Sequence, residues 1–142
     1  SPMGADHTSG YAVTSNILGV GGKVDPLKPE GQVALSRALQ IATAFIDSLG
    51  MCIFTAFALM DQPETNQALI DLVNAFYGWN WTADDTAEFG KKVLTMERDF
   101  NARAGFTKEH DRLPLFMKNQ SLAPHNVTFQ VKDDELDQVF NL

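Results

Sequence analysis

Apolar side chains recur every three or four positions along most of this chain, which is the spacing that lines one face of a helix. Over 33–49 the pattern runs through Leu35, Ala38, Leu39, Ala42, Phe45, Ile46 and Leu49, and Gly50 supplies the left-handed residue that commonly follows a helix. The next stretch, 51–60, is apolar nearly all round and is expected to be buried in either conformation. Helix is the reading, with strand as the alternative, and Asp61-Gln62-Pro63 breaks it. After Pro63, the residues Leu69, Leu72, Val73 and Phe76 mark a helical face that ends before Gly78. Trp79-Asn80-Trp81 follows, and its two indoles are expected to wedge helices apart. Thr82 has the character of an N-cap with Asp85 three residues on. Acids then come early (Asp84, Asp85, Glu88) and bases late (Lys91, Lys92, Arg98, Arg103), an order that favours the helix dipole. The predicted buried face holds Ala87, Val93, Leu94 and Phe100, and Gly105 closes the helix.

Beyond Gly105 the pattern loosens. His110-Asp111-Arg112-Leu113-Pro114-Leu115 is expected to be extended, because the residue before a proline avoids helical angles. Val127, Phe129 and Val131 alternate with polar residues, the period of a half-buried strand. Asp133-Asp134-Glu135 opens a final helix with acids in its first turn, and a helix so close to the last residue is marginal. There is no repeat of 20–50 residues and no low-complexity tract. The pattern predicts an all-α, multi-helical fold over 1–142 as a single domain, with an extended arm near 110–131. Ser1-Pro2-Met3-Gly4 begins without an initiator methionine, and an excised part of a longer chain is expected.

Composition narrows the function classes. A chain of 142 residues is the size of one domain, burying roughly two thirds of the surface that its unfolded form exposes. Eighteen acids against eleven Lys and Arg give a net charge of -7, which repels a polyanion, so no nucleic-acid partner is expected. No apolar run approaches the length of about 18 residues that a membrane span needs. A single cysteine makes no internal disulfide, and the first residues lack the pattern of a signal peptide. A cytoplasmic setting and no membrane partner are expected.

Candidate chemistry concentrates in Asp47-Ser48-Leu49-Gly50-Met51-Cys52. An acid one turn before a helix stop, followed by a thiol in the turn, can present a carboxylate and a sulfur to one small cofactor surface. The Asp47 carboxylate opposes the helix dipole at a cost of about a few tenths of a kcal/mol, so a cation or hydrogen-bond donor is expected beside it. Cys52, flanked by Met51, Ile53 and Phe54, has as its ordinary reading a small buried hydrophobe. A nucleophilic role would require a histidine brought close by tertiary structure. The three histidines, His7, His110 and His125, are too far apart in sequence for a self-contained zinc site. His7 reads either as a proton carrier or as a turn histidine bonded to a backbone carbonyl.

The same six residues resemble the Asp-x-x-Gly-Leu-Cys signature in the C-terminal part of the aldehyde:ferredoxin oxidoreductases, tungsten enzymes with a bis-pyranopterin cofactor. Ser1-Pro2-Met3-Gly4-Ala5-Asp6-His7 is similar to the family's upstream glycine-acid-histidine stretch, and Glu97-Arg98-Asp99-Phe100-Asn101 and Asp111-Arg112-Leu113-Pro114 resemble its later ERxFN and DxLP segments. The resemblance implies a tungsten (or molybdenum) bis-pyranopterin and a 4Fe-4S cluster, both held only by the full-length protein. It makes Cys52 the fourth thiolate of that cluster, Asp47 an acceptor from the pterin's amino-pyrimidine ring, and Gly50 and Met51 backbone neighbours of the cofactor. Met51 stands where leucine is usual, a volume-conserving change. His7 becomes the candidate catalytic residue, passing a proton as an aldehyde and water become a carboxylic acid. Implied partners are the missing N-terminal domains of the same chain, ferredoxin and an aldehyde, and the fragment alone is expected to be inactive. Glu97, Arg98 and Asn101 read as a structural polar network. The alternative from another class is a helical protein-interaction module with a buried structural cysteine.

Overall fold

The computed structural model describes every residue except Ala5, and for Met60 and Asp61 the backbone alone. Four helices form its body: α1 (Gln32–Ser48), α2 (Ile53–Asp61), α3 (Pro63–Tyr77) and α4 (Ala83–Arg103). Two short ones follow, α5 (Leu115–Asn119) and α6 (Asp133–Leu136), with a π-helical turn at Thr14–Leu18 and a 3-10 turn at Lys108–His110. The stretch left between helix and strand is thus helical.

The punctuation works as its residues dictate. At the end of α1, Gly50 has φ 71°, the Gly50 N–H donates to the Asp47 carbonyl at 2.9 Å and the Met51 N–H to the Ile46 carbonyl at 3.3 Å. This pair of bonds is a Schellman motif, and it turns the Met51 side chain back onto the core beside Ile46. The start of α4 is a capping box: the Thr82 N–H donates to the Asp85 carboxylate at 2.7 Å while the Thr82 hydroxyl oxygen accepts from the Asp85 N–H. Pro63 opens α3 at a position where its missing N–H costs nothing.

The core joins Phe45 and Ile46 of α1, Ala56 of α2, and Leu69 and Val73 of α3, with Phe89 of α4 packed against it. Helices α1 and α4 share the most extensive packing, and Gly90 is where they meet. A β-carbon added there would lie 2.2 Å from the Ile41 carbonyl oxygen, so only a hydrogen fits between the two backbones.

Several expected faces are displaced. Leu72 and Phe76 of α3 and Phe100 of α4 are exposed, Phe76 to 78%; Ile70 is buried in their place at 1%. Helix α2 buries Ala56 but leaves Phe54 71% exposed, so the all-apolar stretch is not buried all round. The two tryptophans stack on each other, ring centroids 4.4 Å apart, with Tyr77 4.5 Å beyond Trp79. The Asn74 side chain fixes this corner by accepting from the Trp81 N–H and donating to the Trp81 carbonyl. Among the described residues no strand forms: the alternating 127–131 segment makes one bridge, Leu122 to Val127, because no neighbouring extended segment completes a ladder. The arm is likewise turned rather than continuously extended, interrupted by the 3-10 turn and α5.

Ion pairs hold the arm down. Arg112 reaches Asp137 at 2.6 Å, Lys118 pairs with Asp133, and Arg37 of α1 donates to the carbonyls of Gln138 and Val139. Replacement of Gly90 by alanine tests the crossing. Alanine gains about 1 kcal/mol in intrinsic helix propensity, whereas forcing a methyl into close packing costs roughly 1–3 kcal/mol, here at the upper end because a backbone atom is struck. Urea denaturation of Gly90→Ala is expected to show a net loss of about 1–2 kcal/mol; equal or greater stability would contradict the close approach.

Candidate functional site

The α1 end that the Schellman motif shapes carries Asp47 one turn before the stop and Cys52 just past it. Both are exposed. Cys52 is the N-cap residue of α2, and its carbonyl accepts from the Thr55 N–H and hydroxyl at 3.0 and 2.7 Å, which fixes the backbone under the thiol. Gly50 lies between them with nothing within 4 Å of where its β-carbon would be, so the turn faces open space. The expectation of a buried structural cysteine is corrected: the short turn places Cys52 at the mouth of α2 rather than inside it.

The other segments are drawn to the same end of the helix pair. The Asn101 amide of α4 donates to the Pro2 carbonyl at 2.6 Å, and the Arg98 guanidinium pairs with Asp111 at 2.9 Å. Arg98 also lies 4.3 Å over the Phe140 ring. Arg98 and Asn101 therefore are structural ties, as expected, joining the first residues and the 111–114 segment to α4. Glu97 makes no hydrogen bond or ion pair among the described residues, in contrast to its neighbours.

Three carboxylates form a graded series here. Asp6 accepts from the Thr8 N–H at 2.9 Å, the Thr8 hydroxyl at 2.7 Å and the Ser9 N–H at 3.1 Å. These bonds, the Thr8 backbone N–H foremost, hold its pKa down to about 2. Partial loss of solvent around the carboxyl, and then the charge of Asp6, pushes Asp47 above its ordinary value. Burial, and then the charge of Asp47, does the same for Glu97. The cation or donor expected beside Asp47 is not found among the described residues; its electrostatic neighbours are acids. A carboxylate in that position is free to accept from an outside donor.

His7 is exposed on the same segment as Asp6, with no side-chain hydrogen bond among the described residues, and its neighbour Ala5 lies outside the described residues. Among the described residues no three His, Cys, Asp or Glu side chains are grouped so as to hold a metal ion. A cluster of iron and sulfide would thus take its remaining ligands from outside this chain. The sequence reading missed a groove of about 370 Å³ between the first residues and α4, lined by Pro2, Met3, Met96, Glu97, Phe100 and Asn101. Its signal was present in the Met96 and Phe100 pair, but the helical period had assigned Phe100 to the core.

The sequence has relatives among known proteins. The family model described as "Aldehyde ferredoxin oxidoreductase, domains 2 & 3" matches residues 1–141, and the chain belongs to the aldehyde ferredoxin oxidoreductase family. It is 34% identical over 109 residues to the tungsten-containing aldehyde ferredoxin oxidoreductase of Pyrococcus furiosus, a match covering 76% of this chain and 17% of that protein. The same enzyme of Pyrococcus horikoshii is 35% identical over 113 residues, covering 78% of this chain and 18% of the relative. That of Thermococcus kodakarensis is 31% identical over 109 residues, 76% and 17%. The chain thus spans less than a fifth of the length of these relatives, in their C-terminal part. Among the described residues no single helix is long and apolar enough to cross a membrane.

The carboxylate series has opposite signs in a stability measurement. Asp6 has a folded pKa of about 2, below its ordinary 3.8, so its contribution is complete above 3.8 and is lost as the pH falls toward 2. Asp47 and Glu97 are raised, so their protonated forms suit the fold and stability is lost as the pH rises through their folded values. Asp47→Asn should raise the urea midpoint at pH 7, with the advantage fading as the pH falls through the raised folded value toward 3.8, whereas Asp6→Asn should lower it at pH 7. An Asp47→Asn variant less stable than the parent at pH 7 would refute the series.

Proposed function

We propose that this chain forms one wall of the pterin and iron–sulfur site of a full-length tungsten-type aldehyde oxidoreductase, which converts an aldehyde and water to a carboxylic acid and passes the electrons to ferredoxin. The observation that carries this reading is the exposed turn at Gly50, with an Asp47 carboxylate lacking any described donor on one side and the Cys52 thiol on the other. A protonated amino-pyrimidine edge supplies the donors that such a carboxylate accepts. The turn at Gly50 leaves open space beside the backbone, which a cofactor could approach. In this reading Asp47, with the Gly50 and Met51 backbone, would hold the tungsten (or molybdenum) bis-pyranopterin, and Cys52 would give one thiolate to a 4Fe-4S cluster whose other ligands come from the preceding domains. When bound, the metal pterin takes up the electron pair that leaves the aldehyde.

The chain's own residues orient and move protons. The conversion releases two protons for each pair of electrons, and His7, exposed beside the firmly ionised Asp6, is the proposed proton carrier. The large apolar side chains left in solvent, Phe54, Leu72, Phe76 and Phe100 among them, support a surface covered by the missing domains of the same chain. The isolated piece is accordingly inactive, and a cytoplasmic enzyme is the proposed setting.

Cys52→Ser in the full-length protein tests the assignment. Iron and sulfide per protomer should fall while helix content by circular dichroism is retained; undiminished iron and sulfide would show that the cluster is held without Cys52.

A further inference from the structure

We infer that Gln40 and Ser36 of α1 are positioning residues for the Asp6–His7 segment: together they form the seat on which Gly10 rests, and the seat sets where His7 is presented. This rests on the reading above, in which His7 carries a proton, and adds to it the groups that hold that histidine in place.

His7 makes no side-chain hydrogen bond among the described residues, so its place is set by the backbone that carries it. That backbone is closed into a short loop by Asp6, whose carboxylate accepts from the Thr8 N–H at 2.9 Å, the Thr8 hydroxyl at 2.7 Å and the Ser9 N–H at 3.1 Å. His7 lies inside the closure, so loop and histidine move as one piece. Downstream, Gly10 rests directly on α1: a β-carbon added there would lie 3.2 Å from the Ser36 hydroxyl oxygen and 3.6 Å from Cγ of Gln40. Tyr11 then packs its ring against Phe57 of α2, centroids 5.4 Å apart. Upstream, Asn101 of α4 holds the Pro2 carbonyl at 2.6 Å. The loop is thus suspended between α1, α2 and α4, with the α1 support following directly on Ser9.

The seat is itself braced. Ser36 and Gln40 are neighbours one turn apart on α1, and the Gln40 amide donates to the Ser36 hydroxyl at 3.1 Å. Gln40 is 4% exposed, and its Oε1 is buried with no partner among the described residues. An unpaired buried oxygen costs stability, so what Gln40 gives this interface is its shape under Gly10 and its bond to Ser36. Position and stability can therefore be separated at this residue.

The test is a double-mutant cycle in the full-length enzyme. Gln40→Met keeps a side chain of similar length while removing both the bond to Ser36 and the unpaired oxygen, so the urea midpoint should be unchanged or higher. Its kcat should nevertheless fall about tenfold, the scale of a small misplacement of a reacting group. In a His7→Asn background the same change should cost less than about twofold. Gly10→Ala is the second variant: it presses the loop away from Ser36 and should lower kcat, and Ser36→Ala added to it should recover most of the loss, because the hydroxyl that is struck is then gone. Hydrogen exchange read by mass spectrometry should show amides 6–11 exchanging faster in Gln40→Met and in Gly10→Ala, with α1 unchanged. Equal losses of kcat with and without His7, or no loss in either variant, would overturn the inference. So would a fall in tungsten or iron content in Gln40→Met, which would assign the residue to cofactor retention. If His7→Asn alone leaves kcat intact, the proton-carrier reading fails and takes this inference with it.

Discussion

The rest of the structure depends on the place where α4 crosses α1 with only the Gly90 hydrogen between its backbone and the Ile41 carbonyl. A larger residue there would separate the helices, and the separation would be felt at their far ends. Phe45 and Phe89, in edge contact with ring centroids 6.3 Å apart, lock the same crossing from the core side. Once the two helices are this close, the last turn of α1 brings Asp47 within electrostatic reach of Glu97 on α4. The site is assembled by a glycine that has no chemistry of its own.

From that crossing the four segments that resemble family motifs acquire a spatial reason. The ERDFN segment is a hub: Arg98 ties it to Asp111 and Asn101 ties it to Pro2, leaving Glu97 toward the groove. Two of its polar residues thus hold neighbouring segments, while a third faces open space. The Asp47 turn is built in the same economical way, since the Schellman bonds that end α1 also orient Met51 inward and leave Gly50 bare. Setting the Asp47 and Glu97 carboxylates near other acids works against folding at neutral pH.

Helices and their boundaries were legible in the sequence because they are set locally. Pro63, Gly78, the Thr82 and Asp85 box and Gly105 act within one turn of themselves, and each ends or begins an element where its chemistry requires. Inward faces were less legible. Leu72, Phe76 and Phe100 are as apolar as Leu69 and Ile70, and period alone does not separate a residue that packs inside this chain from one awaiting another surface. The strand expected at 127–131 failed for a non-local reason, since a ladder needs a second strand and among the described residues none lies alongside. That Asp47 and Cys52 flank one exposed turn was legible from an acid, a glycine stop and a thiol in one short run. The groove at Glu97 was not, because it exists only when the first residues meet α4 across nearly a hundred positions.

The central claim is that Asp6, Asp47 and Glu97 form one electrostatic unit at the end of the α1 and α4 pair. Carbon-13 NMR titration of the side-chain carboxyls reads it directly. The account predicts Asp6 titrating near 2, Asp47 and Glu97 above their ordinary values, and a fall in the Glu97 midpoint when Asp47 is changed to Asn. Ordinary midpoints for all three, with Glu97 indifferent to that substitution, would contradict it.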